Sequence, residues 1–172
     1  NSHNGNNKTK INTQNNTQNN ITIVQLGKED VLGTLSQDEK LKILNKKFNS
    51  IPSLVKLIHC SDKYPQFNNS LITNLQSQNA LKYCDEKNKF VKVNKTDLVS
   101  DIINYRTINI EEIFEENKDK VSEKTHNKIK ELLDIIESNN DISKEIKEEF
   151  RYRIIKDVYS NQIKINKEIS IK

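Results

Sequence analysis

The sequence predicts an α+β fold: a helix pair with a small antiparallel β-meander, followed by a C-terminal helical region. Three observations predict it. Ser36 and Glu39 stand at capping-box spacing just ahead of Leu41, Leu44 and Phe48, which recur at helical intervals. Three short stretches, 71–75, 80–84 and 89–93, are separated by turn-forming residues at 76–79 and 85–88. Toward the C-terminus two apolar stripes return with helical periodicity, Ile129–Leu132–Leu133–Ile136 and Ile146–Phe150–Ile154–Val158.

Residues 1–20 read NSHNGNNKTKINTQNNTQNN, and Ile11 is their one large apolar side chain. Such an Asn- and Gln-rich tract buries too little apolar area to offset the entropy of ordering, so it predicts a low-complexity linker or tail. The next residues, ITIVQL at 21–26, are β-branched and alternate weakly, and predict a strand ended by Gly27. The capping box at Ser36 then starts a helix over 37–48. Asn49 and Ser50 break it. Pro52 suits the first turn of a second helix, where its missing N–H costs nothing. Leu54, Val55, Leu57 and Ile58 are its apolar face, and it should end near residues 60–62.

After a loop closed by Pro65 come the three strands. In the last of them Val91 and Val93 face one way, Phe90 and Lys92 the other. Asn94 caps a helix to about Tyr105, and Asn109 with Glu112 caps a short one bearing Ile110, Ile113 and Phe114. Ser122 begins an amphipathic helix, and Asp141 or Ser143 caps the last. The closing IKINKEISI at 163–171 alternates with period two and predicts a strand pairing with 21–26. These elements divide the chain into a tail (1–20), an α+β module (21–106) and a helical C-terminal region ending in a strand (107–172).

Composition narrows the function classes. Of 172 residues, 33% are hydrophobic and 30% charged, and the formal net charge of +4 is mildly basic, too small by itself to announce nucleic-acid binding. No run of apolar residues is long enough to span a membrane. The chain has no methionine, even at position 1, which suggests a fragment or a processed chain. Cys60 and Cys84 lie in different elements without close spacing, as reduced thiols do.

No catalytic or metal-binding set stands out. His59, Cys60, Cys84 and His126 lack the spacing of a zinc site, and nothing places a base beside a thiol, so no catalytic residue, metal ligand or cofactor is assigned. Asp85, Glu86, Asp97 and Asp101 could hold a divalent cation. A turn and a first helical turn explain Asp85, Glu86 and Asp97 as well. Lys82, Lys87, Lys89, Lys92 and Lys95 cluster on the hairpin and its exit, with Tyr83 and Phe90 among them. They are the candidate nucleic-acid-binding residues, reaching DNA or RNA through its phosphates as a wing does. The competing reading is a solvated sheet face whose lysines guard an edge strand, and no arginine lies in the cluster.

From Ile21 to Ile103 the chain resembles a family of uncharacterised giant-virus (mimivirus-like) proteins of amoebae. The resemblance rests on the polar tract leading into a strand, on GKED at 27–30, LNKKFNS at 44–50 and LVKLIH at 54–59, on the loop with Pro65, and on the strand pair ending KFVKV. Members often carry an N-terminal zinc-finger-like segment, so the resemblance implies nucleic-acid contact and a place in the host cytoplasm, viral factory or virion interior. Where relatives often have an aromatic residue and a second histidine, this chain has Cys60 and Asn68, which counts against a nuclease. The first expectation is therefore a DNA-binding or DNA-organising, non-enzymatic protein. The second is an oligomerisation or scaffold module, a homo-oligomer formed through the N-terminal tail. A metal-dependent enzyme acting on nucleic acid comes third.

Overall fold

A computed structural model describes residues 21–170, with side chains through Lys164. The N-terminal tail and any oligomer contact through it lie outside the described residues. The architecture is α+β. In chain order it runs α1 (Val31–Thr34), α2 (Gln37–Leu44), α3 (Ser50–His59), β1 (Ser70–Leu71), β2 (Asn79–Cys84), β3 (Lys89–Asn94), α4 (Lys95–Asn117), α5 (Glu123–Ser138) and α6 (Asp141–Ser170).

Helix α3 is the hub. Ile51, Leu54, Val55 and Ile58 are wholly buried, and α2, α4 and α6 all pack against it. One continuous core runs from Leu26 to Val158. The long C-terminal helices complete it, with Leu98, Ile102, Ile110 and Ile113 from α4, Ile129 and Leu132 from α5, and Phe150, Ile154 and Val158 from α6. Leu44 lies within it, Phe48 and Leu57 pack at its edge, and Val91 is only half-buried.

The sheet has the order β1-β2-β3, antiparallel throughout. Opposite residues share a face, so Ala80, Val93, Lys82, Val91, Cys84 and Lys89 point one way. Ala80 is buried and Val93 packs on the core, so that is the inward face. Tyr83 and Phe90 meet edge-on at 5.6 Å on the other.

Local caps formed where the sequence places them. Ser36 Oγ accepts from the Glu39 N–H while Glu39 accepts from the Ser36 N–H. Asn94 and Ser122 cap α4 and α5 through the N–H groups of Asp97 and Thr125.

Several expectations are corrected. Residues 21–26 form no strand: the Val24 N–H donates to the Gln66 carbonyl and the Val24 carbonyl accepts from Asn69 Nδ2, with no ladder beyond them. Their expected partner is helical, since α6 continues through Ser170, and residue 171 lies outside the described residues. No glycine or proline follows Asp141 to stop the helix, and propagation from an established helix needs only one bond per residue. Helix α2 ends at Leu44, because Lys47 takes a left-handed conformation at φ 56°. Strand β1 spans two residues rather than five.

The expected break near residue 106 is absent. Helix α4 runs through it because Arg106 occupies a buried position on the stripe Leu98–Ile102–Arg106–Ile110. Asn109 sits mid-helix rather than at a cap. Helix α6 is capped by Asn140, whose Oδ1 accepts from the Ser143 N–H; Ser143 itself is buried and donates to the Ile136 carbonyl. Among the described residues no helix is long and apolar enough to cross a membrane.

Candidate nucleic-acid interface

The five hairpin lysines do not form one surface. Lys82 and Lys89 project on the inward face, Lys92 on the opposite face, and Lys87 from the exposed turn. Lys95 is 9% exposed, and its Nζ donates to the Leu75 carbonyl at 2.8 Å, holding the loop between β1 and β2. It is not free to reach a phosphate. The acidic residues scatter as well. Asp85 pairs with Lys28 at 2.8 Å, and Asp97 lies in the first turn of α4. Among the described residues no three His, Cys, Asp or Glu side chains gather as metal ligands would.

Sequence reading missed a buried polar cluster between the N-terminal segment, α3 and α4. The Arg106 side chain, 2% exposed, donates from Nη2 to Glu29 Oε2 at 3.1 Å, and the Glu29 side chain has no exposed surface. The Gly27 N–H and Asn69 Nδ2 also donate to that carboxylate. His59 Nδ1 lies 3.0 Å from the Phe67 carbonyl, which can only accept, so Nδ1 carries the proton and Nε2 faces Arg106 Nη1 at 3.4 Å as an acceptor. Burial, aided by the Arg106 charge, pushes His59 down to about 4, so the ring is neutral at pH 7. Burial alone would raise the Glu29 carboxyl; the Arg106 charge and the Asn69 hydrogen bond outweigh it and hold it below the usual carboxylate range. The partners of Glu29 and His59 are all internal, and the cluster reads as a clamp. It fixes residues 24–30 onto the helices.

A concavity lies elsewhere, between α2–α3 and α6. It is a groove of about 950 Å³. Lys42 and Lys46 line it one turn apart at the end of α2 and just beyond, Lys56 comes from α3, and Lys63 from the loop that follows. Arg153, Lys156 and Lys164 complete the opposite wall on α6. In each helix an inward apolar stripe positions the neighbouring basic one: Ile43 beside Lys42 and Lys46, Leu57 beside Lys56, Ile154 beside Arg153.

Seven cationic side chains face three carboxylates, Glu39, Asp62 and Asp157. That local excess of four equals the formal charge of the whole chain. Two of the cations are neutralised, Lys63 by Glu39 at 3.1 Å and Lys164 by Asp62 at 2.6 Å. Arg153 donates to Asn49 Oδ1 at 2.7 Å, which braces α6 against the start of α3 without cancelling its charge. Lys42, Lys46, Lys56 and Lys156 have no carboxylate partner among the described residues. Cys60 lines the groove too, but burial, with the Asp157 charge, pushes its thiol up to about 12, so it stays protonated and unreactive.

The groove was hidden in the sequence because its cations are spread from residue 42 to 164, and each basic stripe alone looks like an ordinary solvated helix face. Only the packing of α6 onto α3 brings them together. Comparison with protein-family models, with curated proteins and with solved structures finds no match, so the functional reading rests on these residues themselves.

Proposed function

We propose that this chain is a non-enzymatic nucleic-acid-binding protein that holds a sugar–phosphate backbone along the groove between α2–α3 and α6. The observation that carries the reading is the gathering of seven cations around one concave surface, five of them without a carboxylate partner among the described residues. Phosphate contact by such side chains releases counterions, so it supplies affinity without sequence preference. The non-enzymatic part is supported by the placement of the reactive side chains. His59 and Glu29 are engaged with Arg106 inside the protein, and the Cys60 thiol stays protonated.

Fluorescence anisotropy with a labelled oligonucleotide tests the reading. Each neutralised phosphate contributes about −0.7 to −0.9 to the slope of log affinity against log salt. Five cations without a carboxylate partner among the described residues therefore predict a slope of roughly −3.5 to −4.5, or a loss of about 100- to 500-fold between about 50 and 200 mM salt. Replacing Lys42, Lys46 and Lys56 together by Gln should flatten the slope by about two to three. Replacing Lys87, Lys89 and Lys92 should leave it in place. Absence of binding at low salt refutes the proposal.

A further inference from the structure

Tyr152 is 65% exposed, the most exposed large apolar side chain among the described residues. It stands on α6 at the margin of the basic groove, next to Arg153. One turn on, Lys156 places Nζ 5.1 Å from its ring centroid. An aromatic ring on a groove wall, with cations on either side, has the parts of a single-strand binding surface: charges that track the backbone and a flat face on which a base can stack. Resting on the groove as the binding surface, we propose that its ligand is single-stranded nucleic acid, with Tyr152 as the stacking platform.

Two physical reasons favour a strand over a duplex. In a duplex the base faces are already stacked on one another, so Tyr152 would gain nothing beyond an edge contact, whereas the unpaired bases of a single strand offer their faces. The basic residues also line both sides of a concavity. A flexible strand can follow such a channel, while the convex cylinder of a duplex meets mainly its rims. Lys156 over the ring adds to the stack, because a cation on one face of an aromatic ring is held by the ring's quadrupole and leaves the other face open for a base.

The chain contains no tryptophan, so a Tyr152→Trp variant carries a single indole that reports on this one position. Three probes are added to it: a short oligothymidylate, a duplex of the same length, and inorganic polyphosphate, which carries charge without bases. Oligothymidylate should quench the indole emission; polyphosphate should bind in competition yet leave the emission unquenched. Tyr152→Ala should weaken oligothymidylate binding roughly tenfold and leave polyphosphate binding unchanged, while Tyr152→Phe should keep the affinity. The ring is largely solvent-exposed, so these variants should fold. Salt-dependent oligothymidylate binding that neither quenches the introduced indole nor responds to Tyr152→Ala overturns the stacking role and leaves the groove standing. Equal affinity for the duplex overturns the preference in the same way. If none of the three probes binds, the groove itself is refuted and the stacking platform with it.

Discussion

The enclosed Glu29–Arg106 pair makes the sharpest demand on the fold. Replacing Glu29 by Gln keeps the shape and removes the charge, leaving Arg106 in a site where it is only 2% exposed. At 3.1 Å, an effective dielectric constant of ~20 gives a pair attraction of about 5 kcal/mol. Breaking a buried pair from one side costs about 3–5 kcal/mol, because the remaining charge has lost its water and its partner. Domain stabilities are only about 5–15 kcal/mol, so the loss is a large fraction of the whole. The introduced glutamine must also turn an amide NH₂ toward the Gly27 N–H, Asn69 Nδ2 or Arg106, which all donate to the carboxylate now. The assay is urea unfolding followed by far-UV circular dichroism, for Glu29→Gln, Arg106→Met and the double variant. Each single change should cost about 3–5 kcal/mol and the double far less than the sum of the two. Losses below about 1 kcal/mol, or strict additivity, would refute the reasoning.

Two other consequences concern the same clamp. His59 is neutral in the folded protein and held at about 4, against about 6.5 for an ordinary histidine. Between those values the unfolded chain binds more protons, so stability rises with pH across this window; the histidine accounts for up to about 2 kcal/mol between about pH 5 and 7. The pH dependence of the urea midpoint should flatten over that range in His59→Gln, and an unchanged profile would contradict the assignment. Gly27 sits at φ 92°, and a Cβ there would come within 2.6 Å of the Tyr105 ring. Gly27→Ala should destabilise by about 1–3 kcal/mol through its backbone conformation. Because the Tyr105 ring is exposed and can move aside, adding Tyr105→Ala should recover little; full recovery would place the cost in the contact instead.

What could be read from the sequence was local. The Ser36, Asn94 and Ser122 caps each depend on residues three apart, and all three formed. The β2–β3 pair was legible for the same reason, with turn residues between two alternating stretches. The α+β class followed from these. The misreadings came from side chains whose role is set by distant partners. The helix capped by Asn94 was expected to stop at about Tyr105, yet it runs on through Arg106, whose charge Glu29, 77 positions away, makes tolerable inside. Lys95 looked like a phosphate contact until the loop carbonyls at 74 and 75 enclosed it. The alternation at 163–171 resembled a strand, but through Ser170 those residues extend a helix already under way from Asp141. The groove had no local signature at all, since its walls are contributed by helices about a hundred residues apart in the chain.

The most direct measurement is to follow the backbone amide shifts of ¹⁵N-labelled protein as a short single-stranded oligonucleotide is added at low salt. Binding in the groove predicts that the largest shifts fall around Lys42 and Lys46, Lys56, and Tyr152 to Lys156, with the hairpin turn at residues 85–88 little changed. Shifts concentrated on the hairpin around Lys87, Lys89 and Lys92, or no shifts anywhere, would contradict it.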